Sequence, residues 1–397
     1  MAASILLTHR FYWPDTAPYA LMLRSLGEHF EAEGFNVKVF SSVPSYRAVP
    51  DSENQTQMPN SPEVKRIWVF SNEKQNVLKR LFNAIWYCSR LFLHILLVRP
   101  DVVVASTFPP VLAAWMASIA ARLVGTKFVY HLQDIHPEIS EISGGFLGKP
   151  IPSRFLRWLD NQTLKRSAAI VVLSSDMAST LQSRDINPLP ICVINNMALT
   201  AFDNVSDNPP VQYRKPVGNK RIVYAGNMGR FQNLEPIVEG ISQVLDKFPN
   251  LDLLLLGDGV LLSTLKARWE GNPQVVFCPF LPYPVAKQLI SESDIGLVSL
   301  STGICKVAFP SKIVSYLDLG VPVLAVVEPD SFLARDLTDR NFGRVPANST
   351  PSEVAATLEQ MFEHPPIIAG RMFSDTRAIY NNWSDLISSL TSTSAEL

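Results

Sequence analysis

The chain has 397 residues, with 35 Lys and Arg against 36 Asp and Glu, for a formal net charge of −1. At about 150 residues per domain that length holds roughly two to three domains. Near-neutrality excludes a surface coated in positive charge for nucleic acid, and it excludes an acidic disordered tail. Apolar residues make up 47% and charged residues only 18%, so the chain can bury large cores and still has apolar surface to spare.

Four cysteines, Cys88, Cys192, Cys278 and Cys305, lie far apart without C-x-x-C spacing, which fits a reducing cytoplasm better than a disulfide framework. No His cluster completes a metal site, and no metal or cofactor is expected. The first residues lack the basic-then-apolar order of a signal peptide. The most lipophilic stretch, 85–98, is interrupted by Arg90 and His94 and reads as too short for a membrane span of about 20 residues.

In chain order, strand-length apolar runs fall at 5–8, 36–41, 66–70, 102–106, 128–132, 170–173 and 192–195. Amphipathic stretches near 19–33, 77–97, 110–124, 153–165 and 176–183 separate them. Strands apolar on both faces that alternate with helices predict a doubly wound parallel sheet. The alternation pauses over 198–220, where Asp203, Asp207, Asn208, Pro209, Pro210 and Pro216 give linker composition. It restarts with strands at 222–225, 253–256, 275–278, 295–299, 323–327 and 343–345, and helices near 234–247, 261–268, 285–291, 311–319 and 352–363. The expectation is α/β: two Rossmann-like domains, 1–200 and 221–373, joined by a linker at 201–220 and facing a central cleft. A last helix-like stretch and a Ser/Thr tail occupy 374–397.

Ligands of such sheets bind beyond the carboxyl ends of the strands, so the loops there are read first. Tyr224-Ala225-Gly226-Asn227-Met228-Gly229-Arg230 runs from a strand through two glycines, and its backbone suits the approach of a diphosphate or a plain tight turn. In Gly257-Asp258-Gly259, Asp258 reads better as a helix N-cap than as a ligand contact. The stretch from Gly303 to Pro322 carries Lys306, Pro310, Ser311, Lys312 and Ser315, with a helix start at Pro310-Ser311 and two lysines beside it. In the first half, His131, Asp134, His136 and Glu138 cluster after a strand, as groups for acid/base work or polyol recognition do. The aromatic loop His9-Arg10-Phe11-Tyr12-Trp13-Pro14-Asp15-Thr16 opens the same side.

Phe11-Tyr12-x-Pro14, Asp134-x-x-Pro137-Glu138, Val193-Ile194-Asn195-Asn196, Tyr224 to Gly229, Gly257-Asp258-Gly259 and Pro310-Ser311-Lys312-Ile313-x-Ser315-Tyr316-Leu317-x-x-Gly320-x-Pro322-Val323 together resemble one family over nearly the full length. It is the retaining, nucleotide-sugar-dependent glycosyltransferases of the GT-B fold, family 4, and the subgroup resembling L-fucosamine transferases of bacterial surface polysaccharides. The resemblance implies an acceptor domain first and a donor domain second, with a C-terminal helix crossing back to the first domain and Trp383 as its anchor. It implies a metal-independent hexosyl transfer from a nucleotide-sugar, UDP-linked and N-acetylated in the leading reading, to a lipid-linked or surface-glycan acceptor. Asp134, His136, Arg230 and Lys312 would be catalytic. Gly226, Asn227, Met228, Gly229, Arg230, Gly257, Asp258, Gly303, Lys306, Pro310, Ser311, Lys312 and Ser315 would bind the donor. Trp13, Asp15, Thr16 and Glu138 would face the acceptor. The family's usual Glu pair is replaced by Val307 and Ser315, and its usual Arg and Lys by Asn227 and Gln232.

Residues 61–100 hold seven Lys and Arg against two Glu, a local net charge of +5 that the neutral total hides. At about 100° per residue, Lys79, Arg80, Asn83, Arg90 and His94 form one stripe of the helix at 77–98, and Leu81, Phe82, Ile85, Trp86, Leu91 and Phe92 take the rest. Arg154, Arg157, Lys165 and Arg166 make a second basic helix. These suit peripheral contact with the inner face of the cytoplasmic membrane, or a solvated edge on a buried helix. A nucleotide-sugar epimerase and a non-catalytic nucleotide-sugar-binding partner subunit remain the competing functions. No nucleic-acid partner is expected.

Overall fold

The computed structural model describes residues 2–45, 62–70, 76–186, 189–198, 208–368 and 376–392. The linker residues 199–207 therefore lie outside the described residues. The chain divides into two compact units, one of Met1–Ala201 with Thr376–Leu397 and one of Phe202–Asp375.

In the first unit β1 (Ser4–Thr8), β2 (Asn36–Ser42), β3 (Glu63–Ile67), β4 (Val102–Ser106), β5 (Lys127–His131), β6 (Ala169–Val172) and β7 (Ile191–Val193) form one parallel sheet, in the order β3-β2-β1-β4-β5-β6-β7. The crossovers are α1 (Pro18–Ala32), α2 (Val77–Val98), α3 (Leu112–Val124), α4 (Glu138–Ser143), α5 (Pro150–Arg166) and α6 (Ser175–Gln182). One face of the sheet, with Ile5, Leu7, Val37, Val39, Val102 and Val104, packs on Leu23, Leu26 and Phe30 of α1. Phe40 points the other way and meets Tyr87 and His94 of α2. On that side α3 packs against both α2 and α5.

The third strand begins three residues earlier than the sequence predicts. As an edge strand bonded only to β2, it tolerates Glu63, Lys65 and Arg66, so its charge does not disqualify it. The apolar run that suggested a strand, Ile67 to Phe70, mostly leaves the sheet. Trp68, Phe70, Phe82 and Trp86 instead form a chain of ring contacts beside α2. Asn83 departs from its expected place on a solvated stripe. It is fully buried, and its amide accepts from the Phe70 N–H and donates to the Phe70 carbonyl, both at 2.9 Å. The helix α2 is also longer than the apolar run predicted, 22 residues, which by length and composition alone would cross a membrane.

The second unit repeats the architecture. Its parallel sheet runs β10-β9-β8-β11-β12-β13, from β8 (Lys220–Ala225), β9 (Leu251–Leu256), β10 (Val275–Cys278), β11 (Ile295–Ser299), β12 (Val323–Val326) and β13 (Gly343–Arg344). The helices are α7 (Leu234–Leu245), α8 (Leu262–Trp269), α9 (Tyr283–Ser291), α10 (Lys312–Asp318), α11 (Phe332–Asp339) and α12 (Pro351–Glu363). Ile237, Ile241, Val244, Leu265, Val354 and Leu358 cover one face over Leu253, Leu255 and Leu297. Helices α4 and α11 were not expected from the sequence, since both are short and polar.

The last helix, α13 (Thr376–Ser392), belongs to the first unit, as the resemblance implied. Ile379, Trp383 and Ile387, spaced four apart, join the α1 face of the core. Trp383 is almost wholly buried, with its ring 6.4 Å from Phe30 and 4.9 Å from His131. His29 stacks on Tyr380 at 4.4 Å and bonds Ser384 at 2.8 Å. Trp383→Ala removes the largest side chain of this contact and is expected to destabilise the first unit by about 3–5 kcal/mol, read as an earlier denaturant transition at unchanged slope.

Candidate functional site

In the second unit the strand order reverses between β8 and β11, so the loops leaving those two strands flank the switch point. The loop after β8 is shaped from within. The Tyr224 hydroxyl donates to the Asn227 carbonyl at 2.6 Å, and the Gly229 N–H donates to Gln232 Oε1 at 2.9 Å. Gly226 and Gly257 hold φ of 137° and 138°, and a Cβ on Gly257 would stand 2.1 Å from the Gly226 carbonyl oxygen. The loops after β8 and β9 thus run backbone against backbone, a distance only glycine allows.

This geometry corrects two expectations. Asp258 caps no helix, because α8 is capped at Leu261; its Oδ1 accepts from the Gly259 N–H and its carbonyl from the Met228 N–H, both at 2.8 Å. The Met228 and Gly229 amides are spent inside the loop, so they are not left over for an anion. Gly257 and Asp258 build the loop, and the Asp258 side chain is exposed.

The cation at the switch point is Lys312. Gly296 on β11 leaves room for the Tyr316 ring, since a Cβ there would lie 2.5 Å from it. The Tyr316 hydroxyl then accepts from the Ala225 N–H at 2.8 Å, which fixes α10 against the end of β8. One turn earlier, Lys312 Nζ sits 3.8 Å from the centre of the Tyr224 ring, and a Cβ on Gly226 would be 3.5 Å from it. No carboxylate among the described residues pairs with it. Lys312 is part-buried as a residue, and burial of its ammonium pulls its pKa down to about 7. Arg230 and Lys306 are exposed in the loops after β8 and β11, Pro310 is buried, Ser311 is exposed at the start of α10 and Ser315 is part-buried within it. The N–H of Gly303 donates to Glu328 Oε1, a residue the sequence did not single out.

In the first unit the loop after β5 carries Asp134 and His136. Burial alone raises the Asp134 carboxyl to about 6, and no hydrogen bond to it is present among the described residues. Burial lowers His136 to about 4, and its Nδ1 lies 3.1 Å from Ser140 Oγ. A buried ion-pair network holds this loop. Arg184 pairs with Glu138 and Asp160, each at 2.6 Å, and donates to the His136 carbonyl at 2.9 Å. Arg157 also pairs with Glu138 and with Glu141. Tyr130 donates to Asp160 at 2.9 Å.

The expected acceptor-side groups are thereby placed differently. Glu138 has its carboxylate committed to two arginines. Asp15 is fully buried and accepts from the Ser45 N–H at 3.0 Å. Trp13 lies against Arg24, 4.7 Å from the guanidinium carbon, and its carbonyl accepts from Arg66. Thr16 is part-buried. His131 is buried among Tyr19, Gln133 and Trp383 and is structural. Of the first-unit candidates, Asp134 and His136 stay together at the sheet's carboxyl edge. Arg184 was missed because nothing in the sequence ties position 184 to position 138.

Residues 19–197 match the glycosyl transferase 4-like domain. WbjE of Pseudomonas aeruginosa, named as a glycosyltransferase, is 25% identical over 270 residues, 67% of each chain. WcaI of Escherichia coli (strain K12), named as a colanic acid biosynthesis glycosyl transferase, is 22% identical over 326 residues, 78% of this chain and 79% of its own. Sucrose-phosphate synthase of Thermosynechococcus elongatus has a similar fold, with a TM-score of 0.71 at 14% identity over 98% of this chain and all of its own. WaaG, a glycosyltransferase involved in lipopolysaccharide biosynthesis, reaches 0.68 at 15% identity, over 97% of this chain and 99% of its own. Residues 19–197 therefore carry a glycosyl transferase 4-like domain, and the chain has the GT-B fold of these structures.

In the first unit, burial has thus changed the ionisation of both Asp134 and His136. The Asp134 pKa lies above its unfolded value, so the charged form costs stability at neutral pH, and the cost fades as pH falls through 6 toward 4. Asp134→Asn is expected to stabilise the first unit by about 2 kcal/mol at pH 7 and to give no gain near pH 4, while lowering sugar transfer. Denaturation at both pH values, beside an activity assay, checks this.

Proposed function

We propose that the transferase moves a sugar from a UDP-linked donor, with retention, to a lipid-linked acceptor in the synthesis of a bacterial surface polysaccharide. The observation that carries the donor half is the Lys312 ammonium at the β8–β11 switch point, desolvated and without a carboxylate. An anion such as a diphosphate would supply the missing charge, and Arg230 and Lys306 add exposed positive charge to the loops after β8 and β11. As the leaving diphosphate gains charge in the transition state, a cation already in place stabilises it without reorganising. In support, a protein of similar fold, Anabaena HepE, has been solved in complex with UDP and glucose, with a TM-score of 0.66 at 16% identity, over 97% of this chain and 99% of its own. UDP-N-acetylglucosamine 2-epimerases share the fold as well, and release of UDP only when acceptor is present separates transfer from epimerisation.

Asp134 and His136 would act on the sugar or the acceptor. At neutral pH burial keeps His136 uncharged, so it can hydrogen-bond a hydroxyl through the imidazole, and Asp134 is mostly ionised. The polysaccharide assignment is supported by the similarity to WcaI, named for colanic acid biosynthesis, and to WaaG, named for lipopolysaccharide biosynthesis.

The acceptor half brings the transferase to a membrane surface. Leu78, Leu81, Phe82, Ile85 and Trp86 are exposed on the first half of α2, edged by exposed Lys79, Arg80 and Arg90. Phe146, Ile151, Phe155 and Trp158 are exposed before and along α5, beside Lys149 and Arg154. Apolar side chains rimmed by cations match the headgroup layer of an anionic bilayer.

Two measurements test this. Nucleotide binding should hold Lys312 protonated, so UDP affinity should fall as pH rises above 7 and binding at pH 8 should take up protons. Calorimetry in buffers of different ionisation enthalpy reads both, and Lys312→Met should lose the proton uptake and bind roughly 10-fold more weakly. Replacing Lys79, Arg80 and Arg90 together by Glu should release the protein from anionic vesicles in sedimentation, with its melting temperature unchanged.

A further inference from the structure

We infer that Glu328 is a donor-recognition residue, whose carboxylate accepts a hydrogen bond from a sugar hydroxyl of the nucleotide-sugar. The inference rests on the donor-binding reading of the second unit. Glu328 follows β12 by two residues, at the carboxyl edge of the sheet, and β12 pairs with β11. Its backbone is pinned, because its carbonyl accepts from the Ser331 N–H at 3.0 Å and from the Ser331 hydroxyl at 2.7 Å. Its Oε1 accepts from the Gly303 N–H. Gly303 sits in the loop after β11 with φ 87°. That loop is in turn tied to the loop after β8, through the Ser301 N–H to the Phe231 carbonyl at 2.6 Å and the Ser299 hydroxyl to the Gln232 carbonyl. Glu328 therefore belongs to the same cluster of strand-end loops as Gly226 and Lys312.

Its other oxygen, Oε2, is out of contact with water and has no hydrogen-bond partner among the described residues. Lys and Arg pairing is absent from it among the described residues. A carboxylate oxygen kept from water without a donor is costly, and structures rarely leave one so without a use. The residue as a whole is only part-buried, and the terminal torsion of Glu is soft. A hydroxyl arriving at this loop therefore meets an acceptor with capacity to spare. The neighbouring positions cannot supply it: Val307 has no polar atom, and Ser315 lacks the two acceptor oxygens of a carboxylate. The chemistry is that of a polyol, and the hydroxyl could belong to the ribose or to the transferred sugar.

The test uses the full chain and two variants, Glu328→Gln and Glu328→Ala, titrated by calorimetry with UDP, GDP, dTDP and ADP and with the glucose conjugate of each. Wild type selects the pair that binds. Glu328→Gln keeps one carbonyl oxygen for Gly303 but not the negative charge, and it should weaken binding roughly 10-fold with an unchanged melting temperature of the free protein. Equal weakening for nucleotide and conjugate assigns the ribose, and weakening for the conjugate alone assigns the transferred sugar. Wild-type binding with Glu328→Gln unaffected, and only Glu328→Ala impaired, would mean that Glu328 merely braces the loop, and this overturns the inference. Failure of wild type to bind any of the eight probes overturns the donor-site reading, and the inference with it.

Discussion

An ammonium held away from water is the constraint on which the second unit is arranged. Lys312 lies over the face of Tyr224, an attraction of roughly 1–2 kcal/mol, which does not restore what hydration or a carboxylate would give. The surroundings leave little choice of position: Gly226 has no side chain to displace the ammonium, and Gly296 admits the Tyr316 ring that anchors α10 to β8. The resting fold carries a cation in search of a partner, and a ligand that supplies the anion stabilises this state over the unfolded one. Because the Lys312 pKa is depressed in the fold, the stability cost grows as pH falls from 10 toward 7 and is constant below.

The first unit treats its charges in the opposite way. Arg184, buried to 3% side-chain exposure, is matched by Glu138 and by the fully buried Asp160, with Tyr130 satisfying a further Asp160 oxygen. Removing one member would strand a buried charge, which is why such networks hold a loop in one place. What they hold is the turn bearing His136, through its carbonyl, and Asp134 just before it. Matched groups make the scaffold, and the groups left with altered pKa and no ion pair are the candidates for chemistry.

Much of this was legible in the sequence. Buried parallel strands are apolar on both faces, so all thirteen stood out within three residues of where they fold, and the β8 and α10 motifs located Lys312 directly. The errors share one physical origin, pairing between distant residues. By resemblance Glu138 and Asp15 read as acceptor-side groups, and their partners Arg184 and Ser45, 46 and 30 residues away, go unforeseen. Glu328 drew no notice, since its partner Gly303 is 25 residues off and sits in a different loop. Helical periodicity grouped Asn83 with Lys79 and Arg80. It could not show that the Phe70 backbone, left outside the β3 ladder, needs that amide to close its own N–H and carbonyl.

The same amide bears on the apolar excess of the composition. Helix α2 spans about 33 Å at 1.5 Å per residue, and its length alone would permit a crossing. Crossing would strip Tyr87, Leu91 and Ile95 from the unit they are buried in and break both Asn83 bonds to Phe70. Its apolar outer side chains run along its length, from Leu78, Leu81, Phe82, Ile85 and Trp86 in the first half to Leu93 and Leu97 in the second, with both exposed aromatic rings in the first half. In a parallel α/β unit each crossover helix starts at the carboxyl edge of the sheet, and α5 exposes Ile151, Phe155 and Trp158 at its own start. Helix α3 packs against both. The exposed Phe82, Trp86, Phe155 and Trp158 thus lie in the first halves of these two helices, while the buried side chains and the Asn83 bonds hold α2 in the first unit and argue against its crossing a membrane.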